Sequence, residues 1–166
     1  MIAIIDCLVN KMVETFLVDN CTFNGCNKKC QYCRKERIDG DESAVKKSLQ
    51  LLDTNVIASV LKLSGYGEIT QISDWREILQ RHDQHYQRVQ IITNGTLLSK
   101  EDLNWMALRN YSLCVSLDGV SVSTNGARNS SEGELAGIME NMRYAYLLGI
   151  PLEVNTVITS FNINGL

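Results

Sequence analysis

Residues 26–33 read CNKKCQYC, and this stretch places three cysteines, Cys26, Cys30 and Cys33, on one short loop. Cysteine thiolates are the usual protein ligands of iron–sulfur clusters. Three of them can bind three irons of a four-iron four-sulfur cluster and leave the fourth iron open to a small molecule. The spacing therefore predicts a metal centre at which a small molecule can react.

Zinc is the alternative metal for such a loop. A structural zinc ion usually takes four cysteine or histidine ligands in two separated pairs, but the two histidines, His82 and His85, lie far along the chain in a predicted helix. Cys21 could complete a four-sulfur site, so zinc stays open. Cys7 and Cys114 are predicted to be non-ligands, and Cys114 lies within an apolar run.

The composition is that of an ordinary globular domain, with 45% hydrophobic and 21% charged residues. The net charge is -3 and no long basic run occurs, which disfavours a nucleic-acid partner. The first residues, MIAIIDCLV, lack a basic leader and a cleavage site, and no apolar segment approaches a bilayer span. We therefore expect a cytoplasmic protein with neither a nucleic-acid nor a membrane partner.

Short runs rich in β-branched residues alternate with amphipathic stretches along the whole chain. This alternation is typical of a parallel sheet with crossover helices, an α/β fold. The predicted strands are Val13–Val18, Val56–Ser64, Val89–Thr93, Ser112–Ser116 and Leu152–Ile158.

Four segments between these strands have helical periodicity. The first carries Val45, Leu49 and Leu52 on one face, and the second begins near Asp74. Its predicted inward side chains are Trp75, Ile78 and Leu79.

The third and fourth helices are predicted to begin with capping boxes. Ser99 precedes Asp102 by three positions, as Ser131 precedes Glu134. We expect the fourth helix to end at Gly149. Its predicted core positions are Leu135, Ile138, Met139 and Met142.

Glycine and polar motifs follow each of the first four strands. The cysteine loop follows the first strand, residues 64–68 (SGYGE) the second, residues 93–95 (TNG) the third and residues 116–119 (SLDG) the fourth. Parallel α/β folds build their sites at the carboxyl ends of strands, so these motifs should meet. Glu68, flanked by glycine, could receive an ammonium group or cap the next helix.

In this order, CNKKCQYC, SGYGEIT, IITNG, SLDG and VNTVIT resemble the radical S-adenosylmethionine (radical SAM) enzymes. The set is most similar to the sulfatase- and peptide-maturing (SPASM-type) subgroup, from about Phe16 to Asn162. The resemblance implies a partial (β/α)6 barrel with about five strands and four helices present. It also implies two cofactors, a 4Fe–4S cluster and S-adenosyl-L-methionine, and an external electron donor.

Carried over by position, the resemblance assigns Cys26, Cys30 and Cys33 as the cluster ligands. The amino and carboxylate groups of S-adenosylmethionine would chelate the open iron. Tyr32, beside the last cysteine, would pack near the adenine.

Five further positions match cofactor contacts of the family. Gly65, Gly67 and Glu68 match its Gly-Gly-Glu segment, which receives the methionine ammonium. Ser116 would contact the methionine carboxylate or ribose side, and Arg128 matches an arginine that neutralises the same carboxylate.

Asn94 and Asp118 would line the same pocket by resemblance, although turn formation explains both equally well. The chain departs from the family pattern at three places. Tyr66 stands where the first glycine of Gly-Gly-Glu is common, and Ile69 replaces a frequent proline. Thr124 with Asn125 stands where the family often has His-Asp.

The implied activity is reductive cleavage of S-adenosylmethionine to a 5'-deoxyadenosyl radical, which abstracts hydrogen from a carbon of a peptide or protein substrate. No catalytic side chain is predicted. Another radical branch, such as a glycyl-radical activase or a cofactor-biosynthesis enzyme, is an alternative, as is a non-catalytic metal-binding module.

The family barrel has six strand–helix units, and this sequence reaches the fifth strand. We expect residues 1–166 to be a radical SAM core that is incomplete at its C-terminus, with residues 1–12 as an N-terminal extension. A missing C-terminal portion or a partner chain would close the barrel.

Overall fold

The computed structural model describes residues 13–19, 25–33, 58–64, 67–81 and 83–164, the first of these ranges as backbone only. The first predicted helix, around positions 45–52, lies outside the described residues. So does Gly65.

A five-stranded parallel sheet forms the centre of the fold, with its strands in chain order. Neighbouring strands pair in register, so that Asp19 lies opposite Ser64, and Ser116 lies opposite Asn155. All five carboxyl ends therefore share one edge of the sheet. The strands are β1 (Val13–Asp19), β2 (Ala58–Ser64), β3 (Arg88–Thr93), β4 (Tyr111–Ser116) and β5 (Leu152–Asn155).

Three α-helices connect the later strands, one in each crossover. They are α1 (Trp75–Gln80), α2 (Lys100–Ala107) and α3 (Glu132–Leu147). Short 3-10 turns occur at Ile69–Gln71, Asp83–His85 and Gly126–Arg128. The repeated strand–helix unit confirms the predicted α/β class, a partial (β/α)6 barrel.

The core lies between the central strands and the helices. Ile91 and Leu113 are fully buried in the sheet, and Leu103 and Met106 of α2 are fully buried against it. Full burial of such a side chain stabilises the fold by about 1.5–3 kcal/mol. The three side chains predicted to point inward from α1 are confirmed as buried: Trp75, Ile78 and Leu79.

Both predicted capping boxes are present. The Ser131 hydroxyl accepts a hydrogen bond from the Glu134 backbone N–H at 3.2 Å, and the Glu134 carboxylate accepts one from the Ser131 backbone N–H at 2.9 Å. Ser99 and Asp102 form the same pair of contacts at the start of α2. Gly149, with a φ of +76°, follows the end of α3, as its sequence position predicts.

Met139 was wrongly predicted to be a core residue. Leu135 and Ile138 are buried, whereas Met139 is 42% exposed and Met142 is only partly buried. Among the described residues, no element covers this side of α3. Met139 and Met142 instead line an open groove of about 360 Å³ together with Val154 of β5.

The fifth strand is three residues shorter than predicted and ends at Asn155. The Thr156 hydroxyl donates to the Leu117 carbonyl at 2.8 Å, and the Val157 N–H donates to the Asp118 carboxylate at 2.9 Å. These side-chain contacts replace the ladder hydrogen bonds that would have continued the strand. None of the described helices has both the length and the apolar character needed to cross a membrane.

We predict that Ser131→Ala lowers the free energy of unfolding by about 1 kcal/mol, since it removes the hydroxyl that caps α3. Urea unfolding followed by circular dichroism measures the change. The exposed Ser160 is the matched control, and Ser160→Ala should change stability little. Equal effects of the two substitutions would contradict the capping role.

Candidate functional site

The cysteine loop lies across the shared carboxyl edge of the strands and is held at both ends by backbone hydrogen bonds. The Gly25 carbonyl accepts from the Glu68 N–H at 2.8 Å, which ties the loop to the end of β2. The Gln31 N–H donates to the Ala127 carbonyl at 2.8 Å, in the 3-10 turn after β4. The loop is therefore fixed against two separate strand ends.

The three cysteines of the loop are all partly exposed free thiols. Burial raises the pKa of the Cys26 and Cys30 thiols, and the Arg128 guanidinium partly opposes this rise at Cys30. Within the described ranges, no three histidine, cysteine or acidic side chains converge as ligands of a single metal ion do. The ligands of a four-iron cluster lie farther apart than those of a single ion, because each binds a different iron of the same cluster.

Lys28, inside the loop, is buried and points toward the start of α3. Its ammonium group donates to the Asn129 carbonyl at 2.9 Å and lies 3.2 Å from the Glu134 carboxylate. The pKa of Glu134 is lowered, first by the hydrogen bond from the Ser131 backbone and further by Lys28. Lys28 therefore ties the middle of the loop to α3.

Glu68 is buried at the end of β2 and joins it to the end of β3. Its Oε1 accepts hydrogen bonds from the Thr70 N–H at 3.3 Å, the Thr70 hydroxyl at 2.7 Å and the Thr93 hydroxyl at 2.6 Å. Its Oε2 accepts one from the Asn94 N–H at 2.8 Å. The carboxylate thus caps the 3-10 turn at Ile69–Gln71, as the capping alternative predicted, and Gly67 precedes it as a half-buried residue.

Asp118 is fully buried after β4 and connects three parts of the site. Its carboxylate accepts from the Tyr32 hydroxyl at 2.9 Å, from Arg128 Nη2 at 2.8 Å and from the Val157 N–H at 2.9 Å. Tyr32 is the last residue before Cys33, so this contact reaches the cysteine loop. Burial and the hydrogen bond to Asp118 raise the pKa of Tyr32, although Arg128 opposes the rise.

Arg128 lies in the 3-10 turn with only 10% of its side chain exposed. Its guanidinium carbon is 5.4 Å from the centre of the Tyr32 ring. Its Nε is buried and has no hydrogen-bond partner within the described part of the chain. A buried cationic donor without a partner is costly and well suited to an anionic ligand.

A small cavity lies between the cysteine loop, the ends of β3 and β4, and the start of α3. Its volume is about 10 Å³, roughly the space that one water needs. Its lining residues are Lys28, Cys30, Asn94, Thr96, Ser116, Asn125, Arg128, Ser130 and Ile138.

The structure thus brings four of the predicted site residues, Cys30, Asn94, Ser116 and Arg128, around one cavity. Tyr32 and Asp118 contact Arg128 beside it, and Cys26 and Glu68 contact Asn94.

Two asparagines that hold Asp118 in place were not predicted. Asn125 Oδ1 accepts from the Asp118 N–H at 2.9 Å, and its Nδ2 donates to the Ser130 hydroxyl at 3.0 Å. Asn162 donates to the carbonyls of Asp118 and Val157. Asn125 stands out in sequence only as a departure from the family's His-Asp, and no local signal marks Asn162.

The fold and the cysteine loop define a class of protein, and comparison with known families agrees. Residues 20–165 match the family model of the Radical SAM superfamily. The chain therefore belongs to this superfamily.

Curated relatives and solved structures show further similarities. It is 26% identical over 149 residues to GTP 3',8-cyclase from two strains of Staphylococcus epidermidis, a match over 80% of this chain and 43% of the relative. Streptococcus suis SuiB has a similar fold, with a TM-score of 0.67 at 19% identity over 90% of this chain and 34% of that chain. SuiB structures bound to S-adenosylmethionine and to the precursor peptide SuiA match as well.

The fold is also similar to that of native anSMEcpe with bound S-adenosylmethionine. That match has a TM-score of 0.64 at 15% identity and covers 92% of this chain and 46% of that chain. A structure of anSMEcpe with bound Cp18Cys peptide is similar too. The chain thus spans less than half of the length of these relatives.

We predict that Asp118→Asn destabilises the protein by about 3–5 kcal/mol, because it leaves the buried Arg128 guanidinium without its carboxylate. Chemical unfolding measures the loss. Glu101, which is 81% exposed and pairs with Arg76, offers a matched acid-to-amide control. Glu101→Gln should change stability little, because exposed ion pairs contribute little. A similarly small effect of Asp118→Asn would show that the buried Asp118–Arg128 ion pair does not stabilise the fold.

Proposed function

We propose that this chain is the catalytic core of a radical SAM enzyme that binds a 4Fe–4S cluster through Cys26, Cys30 and Cys33. One observation carries the proposal. The cysteine loop is held on the strand-end edge, directly beside a buried guanidinium whose Nε has no hydrogen-bond partner among the described residues. Three cysteine thiols beside the buried Arg128 guanidinium are the groups that would bind a thiolate-ligated cluster and the carboxylate of a neighbouring ligand.

The donor chemistry of the described residues fits both cofactors. Arg128 Nε is suited to the methionine carboxylate of S-adenosylmethionine, and Ser116 lines the same cavity. The cavity has room for only about one water, so most of a bound nucleotide would lie outside it. Glu68 stays the proposed receiver of the methionine ammonium, and Gly65 and Gly67 stay the proposed glycines of the same sequence motif.

When bound and reduced, the cluster would supply the electron that cleaves S-adenosylmethionine to methionine and a 5'-deoxyadenosyl radical. The protein's part is to position the cofactor and exclude water. Lys28 and Gln31 hold the cysteine loop to α3 and to the turn that carries Arg128. Asp118 orients the guanidinium and the Tyr32 ring toward each other.

A peptide or protein is the proposed substrate. The support is the likeness to SuiB, whose structure includes a precursor peptide, and to anSMEcpe, whose structure includes a peptide. A second candidate, a cofactor-biosynthesis enzyme, is favoured by the similarity to GTP 3',8-cyclase. Modification of a precursor peptide would support the first candidate, and turnover of a nucleotide would support the second.

The barrel is proposed to be completed by a further C-terminal portion or a partner chain, with residues 1–12 as an extension before the core. Among the described residues no strand pairs with the outer side of β5, and this side and the apolar groove beside Met139 support the view. We also propose an external electron donor. The cytoplasm is the proposed location, because cluster-binding thiols persist in a reducing compartment.

We predict that Cys30→Ala abolishes cluster binding after anaerobic reconstitution, since it removes one of three thiolate ligands. Iron and sulfide content and Mössbauer spectra measure the cluster. Dithionite with S-adenosylmethionine should release 5'-deoxyadenosine from the native chain but not from Cys30→Ala. Cys114, buried in β4, is the matched control, and Cys114→Ala should retain the cluster. Zinc without iron in the native protein would favour a non-catalytic metal module instead.

We predict that Glu68→Gln keeps the cluster and weakens S-adenosylmethionine binding about tenfold, because the ammonium loses its counter-charge. Calorimetric titration of the reconstituted protein measures affinity, and unfolding shows whether the variant is folded. The exposed Glu77 is the control, and Glu77→Gln should leave affinity unchanged. Unchanged affinity in folded Glu68→Gln would show that this carboxylate serves only to join β2 and β3.

A further inference from the structure

Cys26 differs from the other two cysteines of the loop in its hydrogen bonding. Its sulfur accepts from the Lys28 backbone N–H at 3.4 Å and from Asn94 Nδ2 at 3.8 Å. In the described part of the chain, the sulfurs of Cys30 and Cys33 accept no such hydrogen bond. The Asn94 contact comes from a side chain on a different strand end, 68 positions away in sequence.

The orientation of the Asn94 amide is determined by its neighbours. Its Oδ1 accepts from the Thr96 N–H at 3.0 Å, and a backbone N–H can only donate. The NH₂ group must therefore face the other way, toward Asn27 Oδ1 at 2.9 Å and the Cys26 sulfur. Asn27 Nδ2 and the Thr96 hydroxyl complete a closed ring of hydrogen bonds at 2.7 and 2.6 Å.

The backbone around Asn94 is equally constrained. Its N–H donates to Glu68 Oε2 at 2.8 Å. The next residue, Gly95, has a φ of +76°, and a Cβ there would lie 3.3 Å from the Ile138 side chain. Only glycine fits this turn without strain, so the turn holds Asn94 at the edge of the cavity.

Two opposing electrostatic influences therefore act on Cys26. The buried Glu68 carboxylate, which accepts from the backbone N–H of the same Asn94, disfavours added negative charge nearby. The two hydrogen bonds to the sulfur favour negative charge. Hydrogen bonds to sulfur are among the factors that set cluster potentials, because they stabilise the more negative, reduced state.

We infer that Asn94 is a positioning residue that raises the reduction potential of the cluster by donating its side-chain N–H to the Cys26 sulfur. This inference rests on the proposed function, since it requires the three cysteines to bind a 4Fe–4S cluster. Asn94 offsets the Glu68 charge and eases delivery of the first electron. Asn94 thus acts on the Cys26 sulfur, in addition to lining the pocket for the nucleotide.

The test is a redox titration of the anaerobically reconstituted chain, monitored by electron paramagnetic resonance. Asn94→Leu keeps the backbone N–H to Glu68 and removes the donor to sulfur. We expect a more negative potential, with the reduction equilibrium shifted threefold to tenfold. Tenfold corresponds to about 59 mV for a one-electron couple. Asn94→Asp, which keeps the acceptor toward Thr96 and adds negative charge, should shift the potential further in the same direction.

The control is Thr96→Val, which breaks the hydrogen-bonded ring but leaves the donor to sulfur in place. Its potential should equal that of the native chain. Equal potentials for the native chain and both Asn94 variants would overturn the inference while leaving the proposed function intact. A shift in Thr96→Val as large as that in Asn94→Leu would also overturn it. A native chain that assembles no cluster would instead refute the proposed function, and this inference with it.

Discussion

Parallel pairing of consecutive strands is the constraint on which the rest of this structure depends. Because β1 to β5 pair in chain order and all run in one direction, each carboxyl end lies at the same edge of the sheet. Four loops that are distant in sequence must therefore meet there. The cysteine loop, Glu68, Asn94 and Asp118 are neighbours for this reason alone.

Buried polar contacts hold these loops once the sheet has brought them together. A buried carboxylate is stable only if several donors replace its lost water. Glu68 accepts four hydrogen bonds and Asp118 accepts three, and four of these seven donors come from other strand ends or from the cysteine loop. Glu68 and Asp118 therefore hold the loops of the site together, independently of what they contribute to binding a cofactor. Arg128 is different, because its Nε lies buried and no residue that the structure describes bonds to it.

The side of the sheet beyond β5 differs from the carboxyl edge, because apolar side chains are exposed there. Met139 and Val154 are about half exposed and border an open apolar groove. This chain covers 34% of SuiB and 46% of anSMEcpe, which agrees with the proposal that further structure covers this face. The core between β2 and β4 is already complete, since Leu61, Ile91 and Leu113 are almost fully buried.

The sequence alone determined the features that arise from local patterns. Strand positions follow from apolar runs, the starts of α2 and α3 follow from Ser99 and Ser131 with their partners three positions on, and the cysteine motif follows from spacing. The parallel α/β class and the meeting of the motifs at one edge follow from the same alternation. All of these depend on residues within a few positions of one another.

Only the tertiary structure decided how the site residues are used. Periodicity placed Met139 on the core face of α3, but exposure depends on what packs against that face. Burial of Lys28, the early end of β5 and the role of Asn162 all depend on partners dozens of residues away. The pairing of Asn94 with Cys26 depends on the turn at Gly95 and on the neighbouring end of β2. Such contacts are set by the packing of distant segments, and no local pattern in the chain encodes them.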